Sequence, residues 1–208
     1  MSAQSGEPLL ADSAAARGAS SGKRLAARFA LVAALVVFDQ WSKAEVFARL
    51  GEPEPGHRPT PLFGTDWLNF WTSCNPGAAF GKFQQFPYVL VIGRALAVLF
   101  LSWLLLRSPA RPRLPLVAML LVLAGALGNL IDNLWTGCTV TQLAEHPTWF
   151  LGVRDFIDVD FEPLFGWRQH FPAFNVADSC ITVGACLWIL AGFLQRSERE
   201  PAPEAAPE

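Results

Sequence analysis

Four mostly apolar stretches, each close to the length needed to cross a lipid bilayer, decide what this chain can become. They run over 25–48, 88–107, 114–133 and 175–195. A helix needs about 20 residues to cross the hydrocarbon core. Inside lipid, every backbone N–H and C=O must be satisfied within the protein, which leaves the α-helix as the form for such segments. The pattern therefore predicts an all-α membrane protein, with four transmembrane helices and a small extracytoplasmic β-rich, interfacial subdomain. The membrane domain is expected over 23–196, with two long loops at 49–87 and 134–174.

The two ends read differently. Residues 1–22 and 197–208 are dominated by Ala, Ser, Gly, Pro and Glu, and too little apolar surface is available there to offset chain entropy, so disordered cytoplasmic tails are expected. A cleavable signal peptide competes for the basic cluster Lys23, Arg24 and Arg28 with its following apolar run. No small-x-small cleavage site follows it, and the segment runs on as a span. Basic residues recur at Arg107, Arg111 and Arg113, and again at Arg196 and Arg199. The positive-inside rule then puts both termini in the cytoplasm and both long loops on the opposite face.

The loops carry their own signals. Pro53, Pro55, Pro59, Pro61 and Pro76 break up the first, and alternating pieces such as 67–71 predict a small sheet or hairpin on the membrane surface. In the second, GVRDFIDVDF at 152–161 alternates polar and apolar positions, as an interfacial strand or amphipathic helix does. Trp and Phe gather at segment edges, where aromatic belts sit. Gly125 and Gly128, beside Ala124 and Ala126, permit close helix approach. A net charge of −2 gives no reason to expect nucleic acid as a partner. Of the four cysteines, Cys180 and Cys186 read as small packing residues. Cys74 and Cys138 fall in the outer loops, where a disulfide is open to them without any spacing rule to require it. There is no zinc pattern and no phosphate-binding glycine loop, so neither metal nor cofactor is expected.

Polar groups collect at the span ends. Asp39 and Lys43 are four apart and share a helix face, as an ion pair that stabilises the span. Asn129 and Asp132 stand a turn apart at the end of the third span. Asn175 and Asp178 sit at the mouth of the fourth, where they fit an N-cap beside the positive end of the helix dipole. They equally fit a functional site, the default for ionisable groups at a membrane span. Asn75 and Gly77 lie in NPGAAFG at 75–81, either an ordinary turn or a loop that lays backbone groups against an extended peptide. Arg94, two turns into the second span, reads as a side chain snorkelling to the interface.

With the predicted topology, these groups meet at one membrane face, without a serine–histidine pair or a metal cluster. Two carboxylates that share one proton act together as acid and base, because like charges a few ångströms apart cannot both ionise. Asp178, near a helix N-terminus, is the natural member to carry the negative charge first. Its partner is one of Asp132, Asp155, Asp158 and Asp160, among which these considerations do not choose. A transporter or proton pathway is the competing reading, with acidic groups spread through the depth of the bundle. A non-enzymatic scaffold needs no two close carboxylates at all.

DQWSK at 39–43, NPGAAFG at 75–81, GALGNLID at 125–132, VRDF at 153–156 and FNVAD at 174–178 occur in that order. Together they resemble the lipoprotein signal peptidases (signal peptidase II), over most of 25–196. The resemblance implies a four-helix aspartyl endopeptidase of the bacterial inner membrane that removes signal peptides from prolipoproteins, cutting just before a diacylglyceryl-modified cysteine. It implies Asp155 and Asp178 as the catalytic pair, and Asn75, Gly77, Asn129, Asp132, Asn175 and Ala177 as residues that bind substrate or brace the site. Asp39 and Lys43 would hold it together, with no metal or cofactor, in a monomer contacting membrane lipid. Two positions depart from the family pattern: Asn133 stands where arginine usually follows the Asp132 position, and Cys74 where arginine commonly precedes Asn75. The stretch 134–152 is also longer than the family's link. These departures imply either weaker bracing of the carboxylates, as in a divergent paralogue of reduced activity, or substitution by another arginine such as Arg154.

Overall fold

The computed structural model describes residues 7–54, 58–76, 86–108, 114–139 and 151–197. Five helices and four strands appear in the order α1 (Glu7–Leu50), β1 (Thr60–Pro61), β2 (Leu68–Asn75), α2 (Pro87–Arg107), α3 (Leu114–Ile131), β3 (Val153–Asp160), α4 (Glu162–Phe165), β4 (His170–Phe174) and α5 (Val176–Ser197). A π-helical turn, Asp132–Thr136, extends α3. Four of the helices contain stretches long and apolar enough to cross a membrane: Gly22–Leu50, Tyr88–Arg107, Leu114–Thr136 and Val176–Arg196.

The first helix starts earlier than the span it contains. Helical backbone begins at Glu7, inside the stretch 1–22 expected to be disordered. That stretch is rich in alanine, the best helix former, and it extends a helix already nucleated by the apolar span, so only the small cost of propagation remains. The expectations for 198–208, for Gly77 and for most of the 134–152 stretch fall outside the described residues.

α3 is the central helix. More than half of its spanning window is buried, against about a fifth for each of the other three. On one side Leu120, Leu123 and Ala124 pack with Val32 of α1 and with Leu101 and Leu105 of α2. On the other side small residues let α5 come close. A Cβ added at Gly125 would stand 2.7 Å from Ile181 Cγ1, and one at Gly184 would stand 2.7 Å from Val122 Cγ2 and 2.8 Å from the Ala118 carbonyl. In a bilayer, where apolar burial does not drive helices together, such backbone proximity is what allows tight van der Waals packing. Gly128 serves a second purpose, since a Cβ there would press to 2.6 Å from Asp39 Oδ2. Outward-facing Leu96, Leu99, Phe100 and Leu106 on α2 are exposed, as a lipid-facing surface requires.

The strands form one antiparallel sheet in the order β1-β2-β3-β4. The alternating run at 152–161 is thus a strand, β3, at the middle of the sheet. It pairs with β2 from Asn75↔Val153 to Leu68↔Val159, with a bulge between Phe70 and Ser73. Val46 and Phe47 at the end of α1 pack with Cys138 and Phe156, so the sheet sits on the bundle end. A disulfide joins Cys74, at the end of β2, to Cys138, just past the π-helical turn. The bond ties the sheet to the end of α3. β4 runs through Asn175 directly into α5, which makes the sheet and the fourth span one continuous piece.

Gly184→Val should force α3 and α5 apart and lower stability in detergent by about 1–3 kcal/mol, the usual cost of overpacking. Gly192→Ala, where an added Cβ meets nothing within 4 Å, should not lower the melting temperature. Thermal melts of both variants beside the wild type check the contrast.

Candidate active site

The site is built around an ammonium group with no exposure to solvent. Lys43 Nζ lies 2.8 Å from Asp39 Oδ2, 3.2 Å from Asp132 Oδ2 and 3.0 Å from Asn129 Oδ1. The side chain is 0% exposed, so these three oxygens replace its hydration shell. Each partner then fixes a further element. Asp39 Oδ1 accepts the Ala177 backbone N–H at 2.8 Å, so a carboxylate of α1 caps the first turn of α5. Asp132 accepts the Arg154 backbone N–H on Oδ2 at 3.0 Å and the Arg154 guanidinium on Oδ1 at 2.8 Å, which anchors β3. Asn129 turns its amide the other way and donates to Asp178 Oδ1 at 2.8 Å.

Two carboxylates meet across Asn175. Asp155, on β3, accepts from Asn175 Nδ2 at 2.6 Å on one oxygen and from Asn75 Nδ2 at 3.0 Å on the other. Asn175 and Asp178 form a reciprocal cap at the start of α5: the Asp178 N–H donates to Asn175 Oδ1 at 2.9 Å, and the Asn175 N–H reaches Asp178 Oδ2 at 3.3 Å. The capping and functional readings of this stretch are thus compatible, because the cap itself aims Asp178. Asp155 is 1% exposed. Its carboxyl is raised to about 8, chiefly by burial and then by the negative charge of Asp178; hydrogen bonds from Asn75 and Asn175 and the charge of Lys43 pull the other way.

The other acidic residues of the second loop are committed elsewhere. Asp158 lies an odd number of residues from Asp155, so the strand turns it to the opposite face. There it contacts His170 Nδ1 at 2.9 Å and accepts from Asn69 Nδ2 at 3.3 Å. Asp160 accepts the Glu162 N–H near the far end of β3. Asp132 is held by Lys43 and Arg154. Of the four carboxylates open to pairing with Asp178, Asp155 is the one that shares Asn175 with it.

Ala177 lies buried where Gly128 makes room for its methyl group. Several participants have no distinct signal in the sequence. Gln40 donates to Asp39 Oδ2, to the Gly128 carbonyl and to Asp132 Oδ1, and accepts from Arg154 and Thr136. Arg94 does not snorkel to the interface: its guanidinium turns inward and donates to Asn133 Oδ1. Asn133 therefore receives a cation from α2, while Arg154 pairs with Asp132. Among the described residues no group of three or more His, Cys, Asp and Glu side chains is disposed to hold a metal.

Comparison with known proteins points one way. The family model described as Signal peptidase (SPase) II matches residues 31–194. The lipoprotein signal peptidase of Acinetobacter baumannii is 34% identical over 176 residues, covering 82% of this chain and 85% of the relative. That of Deinococcus radiodurans is 36% identical over 177 residues, with 84% of each chain covered. That of Shewanella loihica is 39% identical over 193 residues, covering 89% of this chain and 96% of the other. A bacterial membrane enzyme solved by the in meso method at 2.3 Å resolution superimposes with a TM-score of 0.66 at 26% identity, over 86% of this chain and 94% of that one. With four apolar spanning helices, a model match across nearly all of them and relatives of this extent, the chain is a multi-pass protein of the bacterial inner membrane and belongs to the signal peptidase II family of lipoprotein signal peptidases.

Proposed function

We propose that this member of the family is an aspartic endopeptidase in which Asp155 and Asp178 are the catalytic pair, cutting prolipoproteins before a diacylglyceryl-modified cysteine. The observation that carries the reading is the placement of two carboxylates on either side of Asn175, one of them wholly buried. The surrounding charges support it. Lys43, Arg94 and Arg154 face Asp39, Asp132, Asp155 and Asp178, so the set is neutral when Asp155 and Asp178 hold one proton between them. Uncompensated charge at a membrane span is costly, and a singly protonated pair avoids it.

Such a pair titrates as a unit. The ionised carboxylate takes a proton from a water molecule, and the water oxygen attacks the scissile carbonyl carbon. The protonated carboxyl gives its proton to the carbonyl oxygen, forming a neutral tetrahedral diol. As the C–N bond breaks, the leaving nitrogen takes up a proton from the pair while a diol hydroxyl returns one to it. The signal peptide leaves with a new carboxyl terminus, the cysteine keeps a free amino group, and the pair again holds one proton. Asn75, Asn129 and Asn175 hold the two carboxyl groups in place without adding charge. Asn75 would lie beside the extended peptide, and the diacylglyceryl chains would remain in the surrounding lipid.

The active end is assigned to the extracytoplasmic face, with both termini in the cytoplasm. The basic residues flanking the opposite ends of the spans support this. So does the Cys74–Cys138 disulfide on the sheet side, since such bonds persist in oxidising compartments. Every member of the site comes from one chain, which fits a monomer.

Three outcomes test the reading. Asp155→Asn and Asp178→Asn should each lower kcat by at least about 10³-fold on a diacylglyceryl-modified precursor in detergent or lipid, while remaining folded. Full activity in Asp155→Asn would remove that residue from the pair. Cleavage should also fall as pH rises through about 8, where the shared proton is lost. Stability follows the same group. Its carboxyl is raised from an ordinary 3.8, so its contribution is complete below that value and is lost as pH rises towards about 8. Asp155→Asn should therefore melt with a weaker loss of stability between those pH values than the wild type; parallel melting curves would contradict the assignment.

A further inference from the structure

The acid–base chemistry leaves a half-buried cation on α2 unused. Arg94 sits about two turns into the second span, at the end where the carboxylates gather. Its guanidinium donates to Asn133 Oδ1. Asn133 is wholly buried and fixed in turn: its Nδ2 donates to the Leu151 carbonyl at 2.8 Å, and its own carbonyl accepts the Leu151 N–H at 3.3 Å. Leu151 leads through Gly152 into β3 and so to Asp155. Arg94 is thus held by the segment that carries one of the two carboxylates, Asp155.

Among the described residues no ion pair joins Arg94 to Asp132, Asp155 or Asp178, although Asp132 is paired directly with Lys43 and Arg154. A guanidinium has five N–H donors in a rigid fork, and the bond to Asn133 occupies one. Keeping such a group in an apolar span with donors unspent is expensive unless something else accepts them. A ligand at this end of the bundle would meet the guanidinium on α2 and a pair that carries one negative charge. An anionic ligand there would be repelled by the pair. A neutral carbonyl oxygen would not, and it is an acceptor matched to the free end of the fork.

We propose that Arg94 is a substrate-binding residue, held by Asn133 across from Asp155 and Asp178, that donates hydrogen bonds to a backbone carbonyl of the precursor lying between them. This rests on the protease reading above and extends it to α2, the helix that otherwise contributes no described side chain to the site. Arg94 also opposes the negative charge of the pair, beside the cation Lys43 from α1.

The test is steady-state cleavage of a diacylglyceryl-modified precursor peptide by Arg94→Met, Arg94→Lys and Asp155→Asn, each with a pH profile. Arg94→Met should raise KM at least about tenfold with kcat little changed, the loss expected of a hydrogen bond from a charged donor. It should also move the alkaline limb to higher pH, because a cation favouring the ionised pair is gone while Lys43, Asp132, Asp155 and Asp178 remain. Arg94→Lys keeps the charge but not the fork, so it should raise KM and leave the limb in place. If Arg94→Met does not fold, Arg94→Lys alone decides through its KM. An unchanged KM in the folded variants, with Asp155→Asn inactive in the same preparation, overturns the role of Arg94 and leaves the protease reading standing. Full activity in Asp155→Asn overturns that reading and the inference with it.

Discussion

A buried ammonium group sets the terms for everything around it. Lys43 lies inside the bundle with no water to solvate it, so Asp39, Asp132 and Asn129 must all be present at hydrogen-bond distance. Removing one partner of a buried ion pair leaves uncompensated charge, at a cost of about 3–5 kcal/mol. The requirement has a geometric consequence, because the partners belong to different elements. Asp39 and Lys43 come from one turn of α1, and Asn129 and Asp132 from the end of α3. Their remaining atoms hold Ala177 at the start of α5 and Arg154 in β3. Satisfying one lysine fixes the relative placement of three helices and a strand.

The pair Asp155 and Asp178 inherits its position from that network. Asp178 opens α5, whose first turn is capped from α1, and Asp155 lies one residue beyond the backbone N–H that Asp132 accepts. Neither carboxylate pairs directly with Lys43. Both instead receive amide donors from Asn75, Asn129 and Asn175, which orient oxygens without fixing them as anions. This division separates structural charge from chemical charge. The cations nearest the core neutralise Asp39 and Asp132, and burial raises the carboxyl of Asp155. The π-helical turn at Asp132–Thr136 fits the same logic, since it is where α3 delivers Asp132, Asn133 and Thr136 to the sheet side of the network.

Much of the fold was legible because lipid simplifies the problem. Spans over 88–107 and 175–195 match α2 and α5 to within about two residues, the usual uncertainty at helix ends, because apolar length alone decides them. The close approach of α3 and α5 at Gly125 was legible for a similar reason: small residues at helical spacing have few other uses in a membrane. The N-terminal extension of α1 was missed, because composition weighs each residue separately while helix propagation depends on the neighbour already being helical. The site was legible in its residue types, through clustered Asp and Asn at span ends. Gln40 and Arg94 were not, as the local sequence carries no sign of whether such a side chain faces lipid, water or a partner.

The sequence by itself determined four crossings, a polar assembly at one end, and the carboxylates and amides available there, because hydrophobic length and charge asymmetry are properties of the chain read locally. Only the tertiary structure decided which aspartate shares Asn175 with Asp178. Asp155 and Asp158 are three residues apart and chemically alike. The pleat of β3 sends them to opposite faces, one to Asn175 and the other to His170, and that depends on the pairing of β3 with β2 and β4. It also decided that Arg94 turns inward to Asn133 and that Cys74 joins Cys138. Those contacts span residues far apart in the chain, and packing against α3 brings them together.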